Sequence, residues 1–239
     1  VLGISELYAI PGDFILPWLQ ALEETLPTFG MTKEKSTVSG LLKSLRIVQL
    51  SHEPSAVYAA DAAARFAALR VGTPEMDLDC GPLINARQRA RVRAFIDESR
   101  QQGVPVLAEG ALAPGLDGQG FFVAPVLFGP VPREHRLACQ EVFGPVLSVL
   151  PFEDEDDAVR LANATDYGLV AGVWTENGSR QSRMAARLDS GQVFINCYGA
   201  GGGVELPFGG VKRSGYGREK GFVALEEMST TKTIVQHHA

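Results

Sequence analysis

The sequence predicts an α/β fold, a layered sheet with flanking helices, and three observations carry that prediction. Short apolar and β-branched runs alternate with amphipathic stretches of helical period, the order that builds a largely parallel sheet with helices packed against it. Glycine, proline and capping residues stand at the junctions between these runs. The 239 residues, 45% of them hydrophobic and 21% charged, are enough for one sizeable core or two small ones.

Taken in order, residues 2–24 read as strand, turn and helix. ELYAI is β-compatible, Pro11-Gly12 breaks it, and Asp13 can cap a helix on which Ile15, Trp18, Leu19 and Leu22 recur at helical spacing. Residues 28–44 are polar and mixed, with Gly30 and Gly40 as breakers, and read as a loop whose lysines form a solvated face. A long helix is expected over 85–102, with Gln88, Val92, Phe95, Ile96 and Ser99 along one side and Gly103 as its stop. Residues 104–107 and 121–127 read as strands around a Gly-rich loop.

Asp154 or a neighbouring acid should cap a helix running through Asn163, and TDYGLVAGVWT gives a turn and a strand. A second helix is expected over 177–188, with Met184 and Leu188 in the core. Val193, Phe194 and Ile195 read as a buried strand. The glycine cluster after it lacks the Lys-Ser/Thr ending and the following helix that a phosphate loop requires. The tail, 225–238, is expected to end in an alternating strand, TKTIVQ. His237 and His238 read as solvated, because a metal site would need more ligands.

Charge and composition narrow the function classes. A net charge of -6 with acids and arginines intermixed offers no basic stripe, so neither nucleic acid nor a membrane surface is an expected partner. With no membrane-length apolar run and no secretory pattern, the expected setting is the cytoplasm. The three cysteines, Cys80, Cys139 and Cys197, are odd in number and widely spaced, which suits a reducing compartment. The chain begins at Val1 without a methionine and reads as a fragment.

Two motifs organise the rest. QEVFGP at 140–145 and LPFGGVKRSGYGRE at 206–219, joined by VGTPEMDLDCGPLI at 71–84, resemble the signatures of the NAD(P)-dependent aldehyde dehydrogenase family. The resemblance implies that residues 67–239 are the C-terminal catalytic and oligomerisation portion of such an enzyme, incomplete, with NAD or NADP as cofactor and an aldehyde as substrate. It implies that Glu141 accepts hydrogen bonds from the nicotinamide ribose and that Phe143 packs beside it. Gln88 and Arg91 match family positions near the adenine ribose, and Phe208 matches one lining the aldehyde tunnel. A homo-oligomer, or association with a full-length dehydrogenase subunit, is the implied assembly.

Residues 1–66 carry a different resemblance. IPGDF followed by RIVQLSHEPSAVYAADAAAR is similar to the N-terminus of thiamine-diphosphate-dependent indolepyruvate or phenylpyruvate decarboxylases, interrupted by the inserted loop at about 28–44. In that family the glutamate after the histidine, here Glu53, touches the thiamine pyrimidine. The domain holding the diphosphate is missing, so thiamine diphosphate is not expected as a cofactor.

The nucleophilic cysteine of the dehydrogenases belongs shortly upstream of residue 66, in a context this chain lacks, and their dinucleotide domain is missing too. No catalytic residue is therefore assigned. The leading expectation is a dehydrogenase-family chain that is inactive in isolation. The alternatives are a working enzyme completed by another cysteine or a partner, a non-catalytic subunit-association module, and a decarboxylase remnant.

Overall fold

A computed structural model of the chain describes residues 7–10, 45–50, 55–116, 118–197 and 203–238. The helix expected from Asp13, the 28–44 connection and Glu53 lie outside the described residues. A seven-stranded sheet forms the centre. Its strands are β1 (Leu7–Ile10), β2 (Leu45–Leu50), β4 (Val106–Glu109), β6 (Val126–Phe128), β7 (Val146–Phe152), β9 (Val170–Trp174) and β10 (Gln192–Ile195), in the order β10-β9-β1-β2-β7-β6-β4. β2, β7 and β6 are mutually parallel, as are β9 and β10, whereas β1 and β4 run antiparallel to their neighbours. The sheet is thus mixed, with parallel pairing dominating where strands alternate with helices.

β7 is buried along almost its whole length because it lies inside the sheet and is covered on its faces. Val146 and Leu150 join Val92, Phe95 and Ile96 of helix α2 (Ala86–Gln101) in one core cluster, with Leu137 of the short α3 (Arg136–Cys139). Phe152 joins a second cluster made by α4 (Glu155–Asn163), β9 and α5 (Gly178–Arg187). Helix α1 (Ser55–Ala68) packs against β4 and β6.

Local chemistry sets the helix ends. Asn85, Asp154 and Asn177 each accept a hydrogen bond from the backbone N–H three residues on, which satisfies a donor the helix itself cannot. Gly103, at φ +76°, ends the turn after α2. Val92, Phe95, Ile96 and Ser99 are the buried residues of α2, the face expected from the sequence.

Three expectations are corrected. The strand read at 104–107 is shifted two residues along the chain, and the one read at 121–127 is cut back to its C-terminal end, because Pro105 and Pro125 offer no N–H to a ladder. The intervening loop instead contributes β5 (Ala111–Leu112), which pairs with β3 (Arg70–Val71). Val193, Phe194 and Ile195 are only half-buried, since β10 is an edge of the sheet. The tail forms a short helix, α6 (Gly221–Glu227), and then runs without regular structure. TKTIVQ pairs with no strand among the described residues, and Ile234 and Val235 stay 76% and 90% exposed.

Candidate functional site

The loop between α3 and β7 carries QEVFGP, and α2 holds it by its backbone. Gln88 donates from Nε2 to the carbonyls of Val142 (3.0 Å) and Phe143 (2.8 Å). One turn on, Arg91 donates from Nη2 to the carbonyl of Glu141 (2.6 Å). Residues 88 and 91 share a helix face because i and i+3 are neighbours there, so one face grips three consecutive carbonyls. Asn85, the N-cap of this helix, fixes the first turn from which Gln88 projects.

Packing completes the grip. Val142 is buried in the core, while Glu141 and Phe143 on either side of it are half-buried. Phe143 adopts φ +59°, in the left-handed region that side chains rarely take. Gly144 lies so close to α2 that a Cβ there would stand 2.4 Å from Val92 Cγ2. The loop is therefore rigidly seated with Glu141 and Phe143 at its surface, which is the pre-organisation a ligand-orienting loop needs.

The structure thus brings together Gln88, Arg91, Glu141 and Phe143, four residues singled out from sequence. It does so in an unanticipated way, because Gln88 and Arg91 direct their donors to the loop backbone. A polar residue facing a helix neighbour looks the same in sequence whether its partner is a ligand or a carbonyl some fifty residues away. Phe208 belongs to a second local structure. Its backbone exchanges two hydrogen bonds with Glu219 (2.6 and 2.7 Å), and Lys220 Nζ lies 5.7 Å from its ring centre. Gly209 beside it is packed so tightly that a Cβ would lie 2.1 Å from the Gly217 carbonyl, so the glycines of the 206–219 motif serve close backbone approach.

Sequence reasoning missed two anchoring groups. Lys212 donates to the carbonyls of Asn163 (3.0 Å) and Thr165 (3.3 Å) and pairs with Asp189 at 2.8 Å, tying the 206–219 motif to the C-terminal end of α4. Asp157, nearly fully buried, receives both arms of Arg133 (2.8 and 2.7 Å), Arg160 at 2.5 Å and the Glu153 N–H at 3.0 Å. Burial opposes its ionisation, but the Arg133 hydrogen bonds, the Glu153 N–H and the two guanidinium charges outweigh that and hold its carboxyl below the usual range. In the sequence it is one acid among five in EDEDD, with nothing to mark it.

Of the thiols, Cys80 packs beside Val71, Ala113, Leu116 and Phe122, and burial with the adjacent Asp79 charge pushes its pKa up to about 12. Cys139 lies against the core and donates to the Arg133 carbonyl at 3.5 Å. No helix among the described residues is long and apolar enough to cross a membrane.

Comparisons with known proteins identify the chain's relatives. The sequence profile of the aldehyde dehydrogenase family matches residues 46–234, starting at Arg46 in β2 and so taking in α1. A betaine aldehyde dehydrogenase from Rhizobium etli (strain CIAT 652) is 41% identical over 173 residues, covering 72% of this chain and 35% of the relative. A Burkholderia cenocepacia chain assigned as an aldehyde dehydrogenase superposes with a TM-score of 0.71 at 55% identity, over 74% of this chain and 38% of that one. An aldehyde dehydrogenase from Mycobacterium tuberculosis, solved with NAD+, superposes with a TM-score of 0.67 at 35% identity, over 75% and 37% of the two chains. The chain therefore spans about a third of the length of the relatives it matches. With its profile match, its relatives and its fold in agreement, the chain belongs to the aldehyde dehydrogenase family.

Proposed function

We propose that this chain is the nicotinamide-facing portion of an NAD(P)-dependent aldehyde dehydrogenase and that it does not turn over aldehyde in isolation. The observation that carries the reading is the grip of Gln88 and Arg91 on the Glu141–Phe143 backbone. A seated loop with a half-buried carboxylate beside an aromatic ring fits a ribose diol, because a carboxylate accepts both hydroxyl hydrogen bonds and a ring covers the sugar's apolar face. When bound, the nicotinamide accepts a hydride from the substrate carbon. This chain's contribution is orientation of the ribose. Phe208 and the 206–219 motif would line the aldehyde's approach.

The state of Cys80 supports the inactivity. Attack on an aldehyde carbonyl needs a thiolate, and Cys80 is held protonated by burial. In this reading Glu53 is an inherited residue without thiamine diphosphate to act upon, and the chain works in the cytoplasm. Titrating the 15N-labelled chain with nicotinamide riboside tests the ribose site. Shifts confined to residues 88–91 and 141–144, lost in Glu141→Gln, support it, and no shift at those residues overturns it.

A second reading is favoured by the tail. Phe222, Leu225, Met228, Ile234 and Val235 are 66–90% exposed. Such apolar exposure suits association with a second copy or with a full-length dehydrogenase subunit. Co-elution with such a subunit on size exclusion supports a subunit-association module, and separate elution removes it.

A further inference from the structure

Among the strands of the central sheet that fall in the family match, β10 pairs parallel with β9, β2 with β7 and β7 with β6, while the edge strand β4 pairs antiparallel with β6. The interior exception is β1. Leu7–Ile10 lies ahead of the match at 46–234, yet it is the middle strand of the order. It pairs antiparallel with β2 on one side, from Leu7↔Gln49 to Ile10↔Arg46. On the other side it pairs antiparallel with β9, through Leu7↔Trp174, Tyr8↔Val173 and Ala9↔Gly172.

A strand antiparallel to both neighbours leaves those neighbours parallel to each other and two strand spacings apart, roughly 9.5 Å. β2 and β9 cannot bond across that gap. Without an occupant each would present a row of unpaired N–H and C=O groups in the middle of the sheet. Both bordering strands belong to the matched portion, and that portion is about a third of the length of its relatives. A slot walled by family strands and filled from outside the family match is the juxtaposition to explain.

We propose that Leu7–Ile10 is a surrogate strand, which comes from outside the family match and closes a slot that the matched strands β2 and β9 leave open between them. Direction is no obstacle, because an exposed strand edge carries alternating donors and acceptors that satisfy a partner running either way. Reach is no obstacle either, because the 34 residues between β1 and β2 far exceed what an antiparallel connection requires. The N-terminal segment makes two half-sheets, β9-β10 and β2-β7-β6-β4, into one.

Cross-strand disulfides test the placement. In the full chain with its three cysteines changed to serine, Tyr8→Cys is combined with Val48→Cys, with Val173→Cys or, as a control two strands beyond β2, with Leu127→Cys. Opposed residues of an antiparallel pair lie within disulfide reach. The expected result on oxidation is an intrachain bridge to both 48 and 173 and none to 127. Failure of both bridges, or bridging to 127 as readily, overturns the proposal. Hydrogen exchange gives an independent readout. Successive residues of a central strand bond to opposite sides, so Tyr8→Pro and Ala9→Pro should each raise exchange at least tenfold in one of β2 and β9, leaving α2 and β6 protected. Unchanged exchange in both strands in both variants overturns it.

Discussion

Gln88 Nε2 lies 2.8 Å from the carbonyl oxygen of Phe143, and this bond joins a helix to a loop 55 positions along the chain. With the second bond to Val142 it fixes the segment that presents Glu141. Replacing Gln88 by Leu removes the donor and leaves two carbonyls without it, at a cost of about 1–3 kcal/mol. Urea unfolding should show that loss, and Gln88→Glu should restore none of it, since an ionised carboxylate cannot donate.

Gly144 offers a packing test. A methyl group there would meet Val92 Cγ2 at 2.4 Å, so Gly144→Ala should destabilise by about 1–3 kcal/mol. Adding Val92→Ala opens the space, and the double variant should be more stable than the sum of the two single changes predicts. Strict additivity would show that the loop does not press on α2.

Acid sensitivity should centre on Asp157. Its folded pKa lies below its unfolded value, so the folded state binds fewer protons than the unfolded state. Its stabilisation is fully present above the ordinary carboxyl value of about 3.9 and is lost as pH falls through the folded value. The midpoint denaturant concentration should therefore fall below about pH 4. Asp157→Asn should be less stable at pH 7 and should show a flatter profile, since the partnered carboxylate is gone.

Thiol reactivity separates the three cysteines. With a pKa pushed up to about 12, Cys80 at pH 8 should alkylate on the order of a thousandfold more slowly than an unperturbed thiol. Iodoacetamide labelling followed by peptide mapping measures this directly, and rapid labelling of Cys80 in the folded chain would contradict its buried, protonated state.

Much of this architecture is legible in the sequence wherever the signal is local. The face of α2 and the Gly103 stop follow from residues within a few positions of one another. So do α4 after Asp154 and α5 after Asn177. What depends on distant partners is not legible. Val193–Ile195 read as a buried strand until the sheet order makes β10 an edge, and TKTIVQ reads as a strand although it pairs with none among the described residues. At the site, the motif around Glu141 is visible as a string, whereas the use of Gln88 and Arg91 to hold its backbone is a tertiary fact. The family match starts at Arg46, and β2 is bonded in register along six residues of β7, a long-range pairing that the string RIVQL does not announce.

The most direct test of the account is turnover by the purified chain. NADH or NADPH appearance is followed with phenylacetaldehyde and with a short aliphatic aldehyde, before and after a thiol-blocking reagent. The account predicts flat absorbance with either nucleotide, because it assigns the chain an orienting loop and no nucleophilic cysteine. A rising signal abolished by thiol blocking would contradict it, and would make one of Cys80, Cys139 or Cys197 a working nucleophile.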